Sequence, residues 1–213
     1  MRNWPGGKQL ASLPEMRHLL ARYVTTPVVN VLSRTQVTPN SLTITGFLVS
    51  AGAAAAIAEG FFMVGGLLVL FAGLFDLLDG PLARTKGQVS QFGAILDSSL
   101  DRLSEAAVLL GVLIYFVSAD HSWGPPLAYA ALAGSFMVSY MRARAEGLGI
   151  DCEVGLFTRA ERVVVLAVGL IVGEFTTDKA VLVALALLTA LGFFTFLQRL
   201  VHVRQITRKS PGT

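Results

Sequence analysis

Six apolar windows, each near the roughly 20 residues that carry a helix across a bilayer's hydrocarbon core, take up most of this 213-residue chain. Only 15% of its residues are charged and 54% are hydrophobic, whereas a soluble domain carries about 25% charge. The mean hydropathy is +0.64. The expected fold is therefore an all-α integral membrane protein with six transmembrane helices. The windows run about Ser41 to Glu59, Phe61 to Leu82, Phe92 to Val117, Leu127 to Arg144, Arg162 to Phe175, and Ala180 to Val203. They form one membrane domain over residues 40–203, preceded by an N-terminal segment 1–39 and followed by a mobile basic tail 204–213.

Before the first crossing, apolar residues recur at helical spacing from Leu13 to Leu32 with Arg17, His18 and Arg22 between them. That pattern predicts an amphipathic helix lying in the interface, kinked or split at Pro27. No continuous apolar stretch follows the basic start, so a cleaved signal peptide is not expected. Asn40 is the N-cap candidate of the first crossing, with Pro39 stopping the preceding helix. Of the 17 basic residues, only Lys179 falls in a connection on the side holding Glu59, Asp120 and Asp178. Lys and Arg collect on the cytoplasmic side, which places both termini there, in the plasma membrane. Cys152 is the only cysteine, excluding an intrachain disulfide. His18, His121 and His202 show no ligand spacing with one another, and no nucleic-acid partner is expected.

The second crossing ends, and the third begins, in acid. From Asp76 the chain reads DLLDGPLARTKGQVSQFGAILDSSLD, or DxxDGxxARx8GxxxDxxxD. Asp76 and Asp79 are i, i+3 and Asp97 and Asp101 are i, i+4, so each pair shares one helical face. A short connection predicts that the two helices are antiparallel neighbours with all four carboxylates together. Each carboxylate costs about 2.5 to 3.5 kcal/mol at membrane depth, and like charges repel. Arg84 and Arg102 neutralise part of this charge; a hard divalent ion with oxygen ligands, or two, suits four aspartates better. Gly80 and Gly93 let either a nucleotide or the neighbouring helix approach the backbone. Arg84 either holds a diphosphate or snorkels to the headgroups.

This spacing resembles the signature of the CDP-alcohol phosphotransferase family. The resemblance implies homodimers with a polar cavity open to the cytoplasm and Mg²⁺ or Mn²⁺ as cofactor. It assigns metal to Asp76, Asp79, Asp97 and Asp101, and the base role to Asp101. It gives Gly80, Arg84, Ser90 and the run Asn40, Ser41, Leu42 and Thr43 to a CDP-lipid such as CDP-diacylglycerol; for that run, helix capping is the competing reading. A hydroxyl of the acceptor would attack the lipid-side phosphate, and CMP would depart.

The acceptor is to be read in the second half. SYMRARAE carries Arg142 and Arg144, FTRAER carries Arg159 and Arg162, and LQRL carries Arg199. Arginines from three helix ends suit a phosphate better than a neutral alcohol, although positive-inside topology alone also predicts them. The phrases resemble the phosphatidylinositol phosphate synthase branch, with arginine at position 142 where that pattern has lysine. They imply a phosphorylated polyol acceptor, inositol phosphate first and glycerol phosphate second. A different class, a metal-ion transporter, also buries acids in a helical bundle, but has no need of Gly80, Ala83, Arg84 and Gly93 at these offsets.

Overall fold

A computed structural model describes residues 25–209. They form seven helices: α1 Thr26–Ser33, α2 Pro39–Ala58, α3 Phe62–Lys86, α4 Gln91–Ser118, α5 Gly124–Glu146, α6 Arg159–Phe175 and α7 Lys179–Lys209. The six long ones are the six crossings. α2, α3 and α7 are apolar enough to cross a membrane on composition alone, with mean hydropathies of 1.7, 2.0 and 2.5. α4 and α5 are long enough but carry acids or arginines at one end. α6, with 17 residues, sits at the short limit of roughly 17 for a crossing.

Several boundaries differ from the sequence reading for local reasons. Thr38, not Asn40, caps α2: its hydroxyl accepts from Ser41 N at 3.2 Å, and the Ser41 hydroxyl accepts from Thr38 N at 3.1 Å. Pro39 takes the first helical position, where its missing N–H costs nothing. α1 begins just before Pro27 by the same logic; the expected interfacial helix upstream of it, from Leu13, lies outside the described residues. α3 continues one turn beyond Leu82 and stops at Gly87, whose φ of 63° is open to glycine. The last helix runs through the basic segment to Lys209, so the expected mobile tail is helical over 204–209.

The packing corrects the expected pairing of α3 with α4. Each packs along α2, and they do not pack along one another. From α2 the principal contacts continue through α3, α6, α7, α5 and α4 and return to α2, closing a ring of six helices. Ile57, Val69, Val112, Phe116, Leu166, Leu170 and Leu185 belong to the buried cluster at its centre. Small residues bring the helices close. A β-carbon on Gly111 of α4 would lie 2.3 Å from the Ala54 carbonyl oxygen of α2, which no side chain tolerates without parting the helices.

This crossing sets how far α4 stands from α2, and through it the gap between α3 and α4. Gly111→Ala is expected to cost about 1–3 kcal/mol, the usual range for overpacking a tight contact. It would be read as a lower Tm of purified protein. Gly52→Ala, where a β-carbon meets none of the described residues within 4 Å, is the control expected not to lower Tm.

Candidate active site

The signature aspartates face the gap that α2 holds open between α3 and α4. Asp79 is fixed from two sides: Thr43 Oγ1 of α2 donates to its Oδ2 at 2.9 Å, and the Gly80 N–H donates to its Oδ1 at 2.6 Å. Asp76 and Asp101 are bridged from a third helix. Arg159, at the first turn of α6, places Nη1 against Asp76 Oδ2 and 2.8 Å from Asp101 Oδ1. Asp97 shares one cleft wall with Asp76 and Asp101 and another with Asp79, and the cation lying between Asp76 and Asp101 is a guanidinium. Among the described residues no three acidic, histidine or cysteine side chains converge tightly enough to form a ready ligand set. The donor chemistry nonetheless fits a hard divalent ion, because every candidate ligand is a carboxylate oxygen.

Three clefts open from this point, and Asp97 lines all of them. The first, about 280 Å³, lies between α2, α3 and the start of α4, with Asn40, Thr43, Gly80, Arg84, Ser90 and Gly93 among the residues of its wall. The second, about 690 Å³, runs down the outside of α3 between Leu67, Phe71, Leu74 and Val164, with Asp76 and Asp101 at its head. The third, about 500 Å³, lies between α4, α5, α6 and α7, where Arg102, Arg142, Arg159, Arg162 and Arg199 face it together with Asp97, Asp101, Glu105, Glu146 and Glu153.

Most residues singled out from the sequence reach one of these clefts, and three do not. Ser41 is spent on the α2 capping box. Leu42 is buried against Val29 and Leu82. Arg144 is exposed on α5 and does not line the arginine-walled cleft. Ser90 caps α4, accepting from Gly93 N at 3.0 Å, while still facing the first cleft. Among the described residues, a β-carbon on Gly80 would meet only the Arg84 guanidinium, at 3.7 Å, so its bare face opens to the cleft. Gly93 is the packing glycine of the two, tight against Ser90 Oγ and Asn40 Oδ1.

The arginines of the third cleft are each already engaged. Arg142, 47% exposed, pairs with Glu146 at 2.7 Å and approaches Glu153 at 4.0 Å. Arg199 is buried and donates through Nε to the Val154 carbonyl at 2.8 Å and through Nη1 to the Val138 carbonyl at 2.5 Å. Arg162, 2% exposed, grips Glu105 with two parallel bonds, Nε to Oε1 at 2.6 Å and Nη2 to Oε2 at 2.9 Å. Glu105 is the site residue that the sequence reading passed over. Its signal was present, since it stands one helical turn after Asp101 and continues the acidic face of α4.

Residues 36–197 match the CDP-alcohol phosphatidyltransferase family. The archaetidylinositol phosphate synthase of Methanothermobacter thermautotrophicus is 36% identical over 193 residues, covering 91% of this chain and 94% of the relative. The phosphatidylinositol phosphate synthase of Mycobacterium bovis is 35% identical over 198 residues, covering 90% of each chain. Among solved structures, Mycobacterium tuberculosis phosphatidylinositol phosphate synthase with CDP-DAG bound superposes with a TM-score of 0.76 at 34% identity, over 85% of this chain and 94% of that one. The same enzyme in complex with manganese and citrate gives a TM-score of 0.75. With the full aspartate signature, a multi-pass helical bundle and relatives matched nearly end to end, this chain belongs to the CDP-alcohol phosphatidyltransferase family.

Proposed function

We propose that the protein transfers the lipid phosphate group of a CDP-lipid, such as CDP-diacylglycerol, to a hydroxyl of inositol phosphate, releasing CMP. The observation that carries this reading is the meeting of three chemically distinct clefts at Asp97. A cleft with Gly80 and Arg84 suits a nucleotide and its diphosphate. An apolar cleft on the outer side of α3 suits lipid chains. An arginine-walled cleft suits a phosphorylated acceptor better than a neutral one. The names of the relatives favour inositol phosphate as that acceptor, with glycerol phosphate second. The metal-transporter reading loses its ground with family membership.

In this reading Asp76, Asp79, Asp97 and Asp101 hold two divalent cations, Mg²⁺ or Mn²⁺. When bound, such cations neutralise the diphosphate and the leaving CMP. Thr43 and the Gly80 N–H hold Asp79 in place for that task. Gly80 and Arg84 receive the nucleotide side of the donor, and the arginines hold the acceptor so that its hydroxyl oxygen faces the lipid-side phosphorus. A bond forms between that oxygen and phosphorus as the bond to the CMP oxygen breaks, and Asp101 takes the hydroxyl proton. Arg159, already against Asp101, stands where the acceptor phosphate and the base must be brought together. The enzyme acts as a homodimer, and the basic residues gathered at one end of the bundle support placing both termini and the site at the cytoplasmic face.

Asp97→Asn and Asp101→Asn are each expected to lower CMP release from CDP-diacylglycerol by at least about a hundredfold, the scale of a lost general base or equivalent charge. Asp97→Asn should unfold like the parent, whereas Asp101→Asn, which weakens the contact with Arg159, should remain folded with a lower Tm; near-normal turnover in either contradicts the assignment. Arg142→Ala, at the most exposed arginine of the third cleft, should raise the acceptor KM about tenfold or more, the effect of losing one charge-assisted bond of about 1.5–3 kcal/mol. The KM for the CDP-lipid should stay unchanged. An acceptor panel of inositol phosphate, glycerol phosphate, free inositol and serine with one CDP-lipid tests the substrate directly, with inositol phosphate expected to give the highest kcat/KM.

A further inference from the structure

Arg162 and Glu105 are the most deeply buried ion pair of the third cleft, with side-chain exposures of 2% and 10%. A guanidinium so enclosed needs a partner, since an uncompensated buried charge costs several kcal/mol. That need is met by any nearby acid in any arrangement; the arrangement found is more specific. Glu105 takes the Nε–Nη2 edge in a fork-to-fork contact, the geometry that fixes a guanidinium's plane as well as its position. The Nη1 end is left with only a 3.4 Å contact to the Phe157 carbonyl. Both residues line the cleft that also holds Arg142, Arg159 and Arg199. Both also line a smaller cavity of about 30 Å³ on the other side, toward Ser50 and Ser104. The pair is thus a partition: one face closes the bundle interior and the other floors the arginine-walled cleft.

We propose that Glu105 is a positioning residue for acceptor recognition: it clamps one edge of Arg162 so that the Nη1 end is presented to the acceptor's phosphate. This rests on the acceptor-phosphate reading of the third cleft. Glu105 also sits on the same face of α4 as Asp97 and Asp101, one turn further along the helix. The clamp therefore ties the register of the phosphate-holding helix α6 to that of the helix carrying the base. A carboxylate beside a phosphate site works against anion affinity through its charge alone, so charge and positioning predict opposite signs. If charge dominated, Glu105→Gln would lower the acceptor KM. If positioning dominates, it raises it.

The test is steady-state CMP release by full-length protein with inositol phosphate and CDP-diacylglycerol varied in turn. Glu105→Gln is expected to raise the acceptor KM about tenfold, the equivalent of one oriented charge-assisted bond. The KM for CDP-diacylglycerol should remain within about twofold of the parent, inside the scatter that a fraction of a kcal/mol produces. Glu105→Asp, which keeps the charge but shortens the reach, should move the acceptor KM in the same direction and serves as the deciding variant if Glu105→Gln does not fold. An acceptor KM that is unchanged or lowered, or both KM values rising together, overturns the proposal. So does failure of both variants to fold, which would make the pair a structural brace. Arg142→Ala in the same assay separates the two levels. If it leaves the acceptor KM unaltered, the acceptor-pocket reading itself falls; if it raises that KM while the Glu105 variants do not, only the role of Glu105 falls.

Discussion

Charge placed at membrane depth has to be matched inside the protein, and in this bundle the matching is done across helices. Arg159 of α6 spans Asp76 of α3 and Asp101 of α4, and Arg162 one turn later grips Glu105 of α4. These contacts draw three helices toward one polar centre that the apolar ring would otherwise close over.

The gap that receives those charges comes from the ring's connectivity. α3 and α4 follow one another in sequence, yet each packs on α2, and the close approach of α4 to α2 at Gly111 and Ala54 keeps that arrangement. Holding consecutive helices apart leaves their acidic faces exposed to a space shared by three clefts. In the proposed reaction a donor that is part nucleotide and part lipid would use the first two clefts, and an acceptor with its own phosphate would meet the arginines of the third. The separation of α3 from α4 provides the junction, and the identities of the flanking helices give each cleft its character.

Much of this was legible in the residues. Apolar length located the six crossings to within a few positions, because crossing a hydrocarbon layer imposes a length that few sequences meet by accident. The aspartate spacing pointed to the junction that the three clefts share, because i, i+3 and i, i+4 pairs must share a helical face. What was not legible depended on which helices touch. A short connection between α3 and α4 suggested direct packing, and nothing local reveals that α2 is interposed. Asn40 was a reasonable cap until Pro39 claimed the first turn and moved the cap back to Thr38. Arg162 and Arg199 read as acceptor-phosphate candidates, and nothing in the sequence showed that the fold also engages them with Glu105 and with two backbone carbonyls. Sequence position shows that a charge is present; only the tertiary contacts show how it is compensated.

The most direct test of the account is anomalous scattering from crystals of this protein grown with Mn²⁺ and a CDP-lipid. The account predicts manganese peaks between α3 and α4, flanked by the carboxylates of Asp76, Asp79, Asp97 and Asp101, with the diphosphate reaching toward Arg84. Manganese bound elsewhere, or a diphosphate seated away from those aspartates, would contradict it.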